Sequence, residues 1–449
     1  MMNTHYQIVV LGGGESGVGA AILAKKKGKS VFVSDNGRIQ QKYIDVLIHN
    51  EIDFEDGGHT KSIILSAEEV IKSPGIPDTV EIVRKLIAKK IPIISEIEFA
   101  SRYTTAKLIC ITGSNGKTTT TLLIYYVLKT AGINVGLAGN IGQSFAKQVA
   151  ECSYDVYVLE LSSFQLDGMY TVRANIAILL NITPDHLDRY QYNFTNYVDS
   201  KFRILQNQTK DDALIYWMDD PVITEKLKYV DVEAQEYPFS LINKNIVQGA
   251  YLKNKKIIIT DNKTLIEMTL EQLALQGKHN IHNSMAAGVA SKLMDIRRET
   301  LKQCFSDFHN VAHRLEYVSS VHGISFINDS KATNVNSAWY ALEHYEKPIV
   351  WIAGGIDKGN DYSILKELVK KKVKAIVCLG EDNKPIHDAF GDIVETIVDT
   401  QSVFHAVNTA YQLAKKGYIV LLSPACASMD LFENYEDRGN QFKTAVKEL

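Results

Sequence analysis

The sequence predicts an α/β protein of three domains in series. These are a Rossmann-like N-terminal domain, a central P-loop-type mononucleotide-binding domain with a subsidiary β-sheet, and a C-terminal Rossmann-like α/β domain. Three observations lead there. Short apolar, strand-like runs alternate with segments of helical spacing, the pattern of parallel sheets covered on both faces. Two glycine-rich turns, Gly12–Gly17 and Gly113–Thr119, each follow a strand-like run and precede a helix-like one. A chain of 449 residues also exceeds one compact core, domains being roughly 100–200 residues.

In the first hundred residues, Gln7–Leu11 reads as a buried strand and Gly17–Lys27 as a helix ending at Gly28. Ser30–Ser34, Ser62–Leu65 and Val70–Lys72 read as further strands, Val80–Lys89 as a helix, and Pro92 precedes another apolar run, Ile93-Ile94. A second unit opens at Lys107, with a strand at Leu108–Ile111, a glycine loop, and a helix at Thr119–Thr130 closed by Gly132. Strands follow at Val156–Leu159 and Ile176–Leu180. Short β-like pieces between Ala213 and Leu270 suggest the subsidiary sheet, and helical spacing returns at Asn283–Met294. A third unit opens near Val311, with strands at Ile324–Asn328, Ile349–Ala353, Ala375–Leu379 and Ile419–Ser423. The expected domains are residues 1–100, 101–310 and 311–449.

Composition narrows the function. With 45% hydrophobic and 22% charged residues the chain is an ordinary globular protein, and a net charge of −3 gives no footprint for nucleic acid or an anionic membrane. Cys110, Cys152, Cys304, Cys378 and Cys426 are odd in number, widely spaced and without CxxC pairing. That argues for a reducing compartment and against a disulfide framework or a zinc site. No run approaches the ~18 apolar residues of a spanning helix, so a cytoplasmic protein without a membrane partner is expected.

The sharpest motif is Gly113-Ser114-Asn115-Gly116-Lys117-Thr118-Thr119. Glycines let backbone N–H groups turn inward around an anion, and the following helix adds its dipole. Lys117 then reaches terminal phosphates and the Thr118 hydroxyl suits Mg2+. The form is GxxGKTT, shorter than the full P-loop pattern. Glu160, at the end of Val156–Leu159, is placed to give a hard cation an oxygen ligand.

Gly12–Gly17 fits GxGxxG, with Asp35 after the second strand. The physics asks for a diphosphate at a helix N-terminus and an acceptor for a ribose hydroxyl or base N–H. A nucleotide-diphosphate-linked substrate, NAD and a packing turn all remain compatible with it. His186, in Asn181–Arg189, sits among polar residues at a strand end, where it is either structural or part of an active rim. Gly277–Asn280 with Asn283, His313-Arg314, Asn328–Asn334, Gly354–Lys358 and Ser423–Asp430 complete the polar set. The last three close strands, and ligands of open α/β sheets bind beyond such carboxyl ends.

GSNGKTTT, ELSSFQL, NITPDHLDRY, GKHNIHN, the HR pair, INDSKATN and SPACASMD, in that order, resemble the Mur ligase family along essentially the whole chain. Within the family, INDSKATN and SPACASMD look most like its D-glutamate-adding members. The resemblance implies an ATP- and Mg2+-dependent amide-forming ligase of peptidoglycan synthesis, acting through an acyl phosphate on UDP-N-acetylmuramoyl-L-alanine and D-glutamate. A monomer without nucleic-acid partners is expected.

The resemblance also implies residue roles. Gly113, Ser114, Asn115, Gly116, Lys117, Thr118, Thr119, Asn280, Asn283, Arg314, Asp329 and Lys331 would contact ATP. Gly14, Glu15, Ser16, Asp35, Asn36, Ser73, Gly75, Asn140 and His186 would hold the UDP substrate. Thr333, Lys358, Ser428, Met429 and Tyr435 would hold the amino acid. Thr118, Glu160, His186 and Lys201, the last if carbamylated, would bind metal, and Lys117, His186, Lys201 and Lys331 would be catalytic. The alternatives are a sibling ligase adding another amino acid, an NAD-dependent dehydrogenase built on Gly12–Gly17, or a P-loop switch without a covalent product.

Overall fold

The computed structural model describes residues 5–261, 264–275, 277–308 and 312–449. The expected domain boundary at 310 and 311 lies outside the described residues. The chain forms two compact units, Met1–Pro184 with Arg189–Phe308, and Asp185–Asp188 with His309–Leu449.

The first unit carries two sheets. Strands β1 (Ile8–Leu11), β2 (Val31–Ser34), β3 (Asp53–Glu55), β4 (Glu69–Lys72) and β5 (Ile93–Ile94) form a parallel sheet in the order β3-β2-β1-β4-β5. Every residue of β1 is buried, as a central parallel strand covered on both faces requires. The segment Ser62–Leu65, expected as a strand, is instead a short helix at Lys61–Ile64. Ile63 and Ile64 are buried either way, and periodicity cannot separate so short an apolar run from a helical turn.

The second sheet has nine strands: β6 (Lys107–Thr112), β7 (Val135–Gly139), β8 (Val156–Glu160), β9 (Ile176–Leu179), β10 (Ala213–Trp217), β11 (Gln235–Ser240), β12 (Gln248–Lys253), β13 (Lys256–Asp261) and β14 (Leu265–Thr269). Their order is β14-β13-β12-β11-β10-β9-β6-β8-β7. The strands expected as a subsidiary sheet therefore extend the central one, because β10 pairs with the edge that β9 would otherwise expose. Only the pairs β12–β13 and β13–β14 of this sheet are antiparallel. Leu123, Ile124 and Val127 of the helix Lys117–Thr130 share one core with Met285, Ala286 and Val289 of the helix Lys278–Leu293.

The second unit is built on β15 (Glu316–Val321), β16 (Ile324–Asn328), β17 (Ile349–Ala353), β18 (Val373–Leu379), β19 (Ile397–Thr400) and β20 (Ile419–Leu422), ordered β15-β16-β20-β17-β18-β19. All but the β15–β16 hairpin are parallel. Because β20 lies between β16 and β17, the loops after these three strands share one rim. No described helix is long and apolar enough to cross a membrane.

Candidate functional site

The loop after β6 is held in shape by its neighbours. Asn115 donates its N–H to Asn181 Oδ1 and accepts from Asn181 Nδ2 at its carbonyl, both at 2.8 Å. Ser114 Oγ donates to the Thr183 carbonyl at 2.8 Å. Gly116 sits at φ +85°, and a Cβ there would collide with the Asn283 amide oxygen. That contact brings Asn283, which donates to Asn280 Oδ1 at 3.2 Å, against the loop. Lys278 and His279 of the same stretch have side chains outside the described ones.

Two ammonium groups converge on one carbonyl. Lys117 Nζ donates to Gly113 O at 2.8 Å and to Ser114 O at 3.0 Å, while Lys201 Nζ donates to Gly113 O at 2.9 Å. Lys201 is 1% exposed and lies 4.6 Å from the Tyr197 ring centroid. Two like charges on one backbone oxygen repel, so the arrangement is poised for an anion. At the end of β8, Glu160 Oε1 accepts from Asn140 Nδ2 at 2.8 Å, whereas Glu160 Oε2 is buried without a hydrogen-bond partner among the described residues. A buried, half-satisfied carboxylate beside a phosphate-type loop fits a hard divalent cation.

The turn after β1 is surrounded by carboxylates. Asp35 accepts from the Gly13 N–H at 2.7 Å and the Gly37 N–H at 2.8 Å. Glu15 accepts from the Ser144 N–H at 3.2 Å and the Tyr43 hydroxyl at 3.3 Å. Beneath them Glu96 accepts from Ser144 Oγ at 2.7 Å, the Ala146 N–H at 2.6 Å and Ser16 Oγ at 3.3 Å. Burial pushes the Glu96 carboxyl up despite these donors. Ser73 donates its N–H to the Leu11 carbonyl at 2.9 Å, so its loop lines the same turn. Arg189 donates to the carbonyls of Pro74, Gly75 and Ile76 at 3.2–3.3 Å and stacks over Phe164, 4.3 Å from its ring centroid. Gly14, Asn36 and Asn140 are exposed.

In the second unit, Asp329 accepts from Ser423 Oγ at 2.8 Å and the Leu315 N–H at 3.2 Å. Burial pushes its carboxyl up to about 6, opposed by Arg314, these hydrogen bonds and Arg438. Lys331 Nζ donates to the Tyr435 hydroxyl at 2.8 Å. The Ser423–Asp430 loop is held at Ala425, at φ +61°, whose N–H donates to the Ala332 carbonyl at 2.9 Å. Thr333 is half-buried, Ser428 buried and Met429 73% exposed. His186 groups with this unit, with its Nδ1 3.3 Å from Lys358 Nζ, while Lys201 groups with the first unit.

Three family profiles match this chain: the MurD N-terminal domain over residues 7–82, the Mur ligase middle domain over 111–291, and the Mur ligase glutamate ligase domain over 313–426. A UDP-N-acetylmuramoylalanine–D-glutamate ligase of Christiangramia forsetii is 56% identical, covering 99% of each chain. The protein of that name from Bacteroides thetaiotaomicron is 55% identical, over 99% of this chain and 100% of its own. The chain belongs to the Mur ligase family. A solved UDP-N-acetylmuramate–alanine ligase from Thermotoga maritima has the same fold, with a TM-score of 0.63 over 99% of this chain and 100% of that one at 16% identity.

In this Mur ligase several organising residues escape motif reading. Arg438 is 1% exposed and donates to Ser330 Oγ at 3.0 Å and the Ser330 carbonyl at 2.9 Å, with weaker contacts to the carbonyls of Gly354 and Cys426. It ties together the three loops of the rim. An arginine in a helix otherwise rich in polar residues carries no signal of that burial. Glu96 and Ser144 likewise stand outside every motif, although Ser95-x-x-Glu98 is a capping pattern that marks the helix on which Glu96 lies, with Ser95 Oγ accepting from the Glu98 N–H. Asn181 and Arg189 lie inside NITPDHLDRY, but only the fold gives them partners.

Proposed function

We propose that this Mur ligase joins the alanyl carboxylate of UDP-N-acetylmuramoyl-L-alanine to the amine of D-glutamate, converting ATP to ADP and phosphate. The observation that carries the reading is Lys117 on the Gly113 carbonyl of the glycine loop, beside the half-satisfied Glu160. Relatives 55–56% identical over nearly their full length and named for that reaction support the choice of amino acid.

An oxygen of the alanyl carboxylate attacks the γ-phosphorus of ATP, the β–γ bridging bond breaks, and ADP leaves. The amine of D-glutamate then attacks the acyl-phosphate carbonyl, and phosphate leaves from the tetrahedral intermediate. Two anions meet in the first step, so fixed positive charge is the main need. Lys117 lies within the phosphate loop to meet it, and Lys331 is assigned the same role. Thr118 and Glu160 would hold one Mg2+, which would neutralise phosphate oxygens, and His186 and Lys201, the latter as its carbamate, are also assigned to metal.

Asn280, Asn283, Arg314 and Asp329 are assigned to ATP with the phosphate loop. Gly14, Glu15, Ser16, Asp35, Asn36, Ser73, Gly75, Asn140 and His186 are assigned to the UDP substrate. Thr333, Lys358, Ser428, Met429 and Tyr435 are assigned to D-glutamate. Residues 1–100, 101–310 and 311–449 then divide the work as UDP-sugar, ATP and amino-acid domains of a cytoplasmic monomer. Isotopically labelled oxygen in the alanyl carboxylate tests the route. One labelled atom should appear in each phosphate released, and phosphate free of label would exclude the acyl phosphate.

A further inference from the structure

Away from that rim, the second unit brings together three side chains that sequence spacing does not connect: Cys378, His387 and Asp399. Cys378 lies near the end of β18 and is in register with Asp399 of the neighbouring parallel strand β19, so the two side chains share a face. His387 stands on the helix Lys384–Phe390, which connects those strands. Its Nε2 is 2.9 Å and 3.1 Å from the two Asp399 carboxylate oxygens. One donor atom from each residue lies within 4.8 Å of the other two. His387 and Asp399 line an open hollow of about 570 Å³ with Gly380, Asn383, Lys384 and Thr400, and Cys378 lies buried behind them. In that lining Asn383 Oδ1 is buried without a hydrogen-bond partner.

An aspartate–histidine pair this exposed contributes little to stability by itself, and the Cys378 side chain beside it belongs to the buried core of the unit. The donor set is one sulfur, one imidazole nitrogen and one carboxylate, each on a strand or helix. Hard Mg2+ avoids such a set, whereas a borderline ion such as Zn2+ prefers it. Tetrahedral bonds to Zn2+ place ligand atoms roughly 3–4 Å apart, so the present spacing of up to 4.8 Å would have to tighten on binding. A thiolate and a carboxylate together balance the charge of a divalent ion.

We propose that Cys378, His387 and Asp399 form a binding site for a thiophilic divalent cation of the Zn2+ class, with its fourth position open to water from the hollow. The lack of CxxC spacing misleads here, because parallel strand pairing and a crossover helix supply the proximity that a local motif would otherwise provide.

The test titrates reduced, metal-free, full-length protein with Co2+ as a spectroscopic stand-in. A thiolate-to-cobalt charge-transfer band should saturate at one equivalent and be displaced by Zn2+. It should persist in Cys152→Ser, which removes the exposed cysteine. It should vanish in Cys378→Ser, and His387→Ala should weaken binding by about a hundredfold or more. Should Cys378→Ser fail to fold, His387→Ala and Asp399→Asn carry the test. No band in the wild-type protein, or a band of unchanged affinity in both His387→Ala and Asp399→Asn, would overturn the proposal.

Discussion

The molecule uses the same backbone device twice in its first unit, with opposite charge. After β1 and after β6 the chain makes a glycine turn into a helix N-terminus, the geometry that favours an anion. Around the first turn stand Asp35, Glu15 and Glu96, and at the second Lys117. The turn is therefore generic, and the side chains from neighbouring elements decide the ligand. Carboxylates suit the hydroxyl and N–H groups of a ribose and base, whereas an ammonium group suits a polyphosphate. The same contrast weakens a dinucleotide reading of the first turn, whose sheet ends at the two-residue strand β5 without a second complete half.

The largest effect should come from the lysine-bearing turn. Lys117→Ala should lower kcat by about a thousandfold or more while the UDP substrate binds within roughly twofold of wild type, by calorimetry. Loss of both would erase the division between the turns. At the carboxylate-bearing turn, Asp35→Ala should weaken the UDP substrate by about 10–100-fold and leave ATP affinity unchanged. Equal weakening of both ligands would break the comparison from the other side.

Gly116→Ala sharpens it further. The left-handed backbone and the Asn283 contact should make the substitution weaken ATP by about tenfold, with the UDP substrate untouched. The smallest effect concerns Glu96. Its folded carboxyl is raised above the unfolded one, so between those two values the folded protein binds more protons and loses stability as pH rises. Glu96→Gln, which mimics the protonated acid, should flatten that loss in denaturant unfolding followed from about pH 5 to pH 8. A variant with the wild-type slope would remove the buried carboxyl as its source.

What was legible in the sequence follows from how each part is built. A glycine turn between a strand and a helix is made of consecutive residues, so Gly113–Thr119 is visible as a motif. The loops after β16, β17 and β20 were legible because apolar runs locate strand ends, and the topology then sets them side by side. Arg438 and Glu96 act through partners far along the chain, Ser330 and Ser144, which only the fold identifies. The run at Ser62–Leu65 is too short for its period to distinguish helix from strand. The strands β10–β14 could be recognised as β-structure, but not the edge they would extend, because pairing partners leave no local mark.

The most direct test of the account is amino-acid-dependent phosphate release. Purified protein would receive ATP, Mg2+ and UDP-N-acetylmuramoyl-L-alanine, then D-glutamate, L-glutamate, L-alanine, L-lysine or meso-diaminopimelate in turn. The account predicts sustained release with D-glutamate alone, and none when the UDP substrate is withheld. Release that is independent of the amino acid, or that requires one of the others, would contradict it.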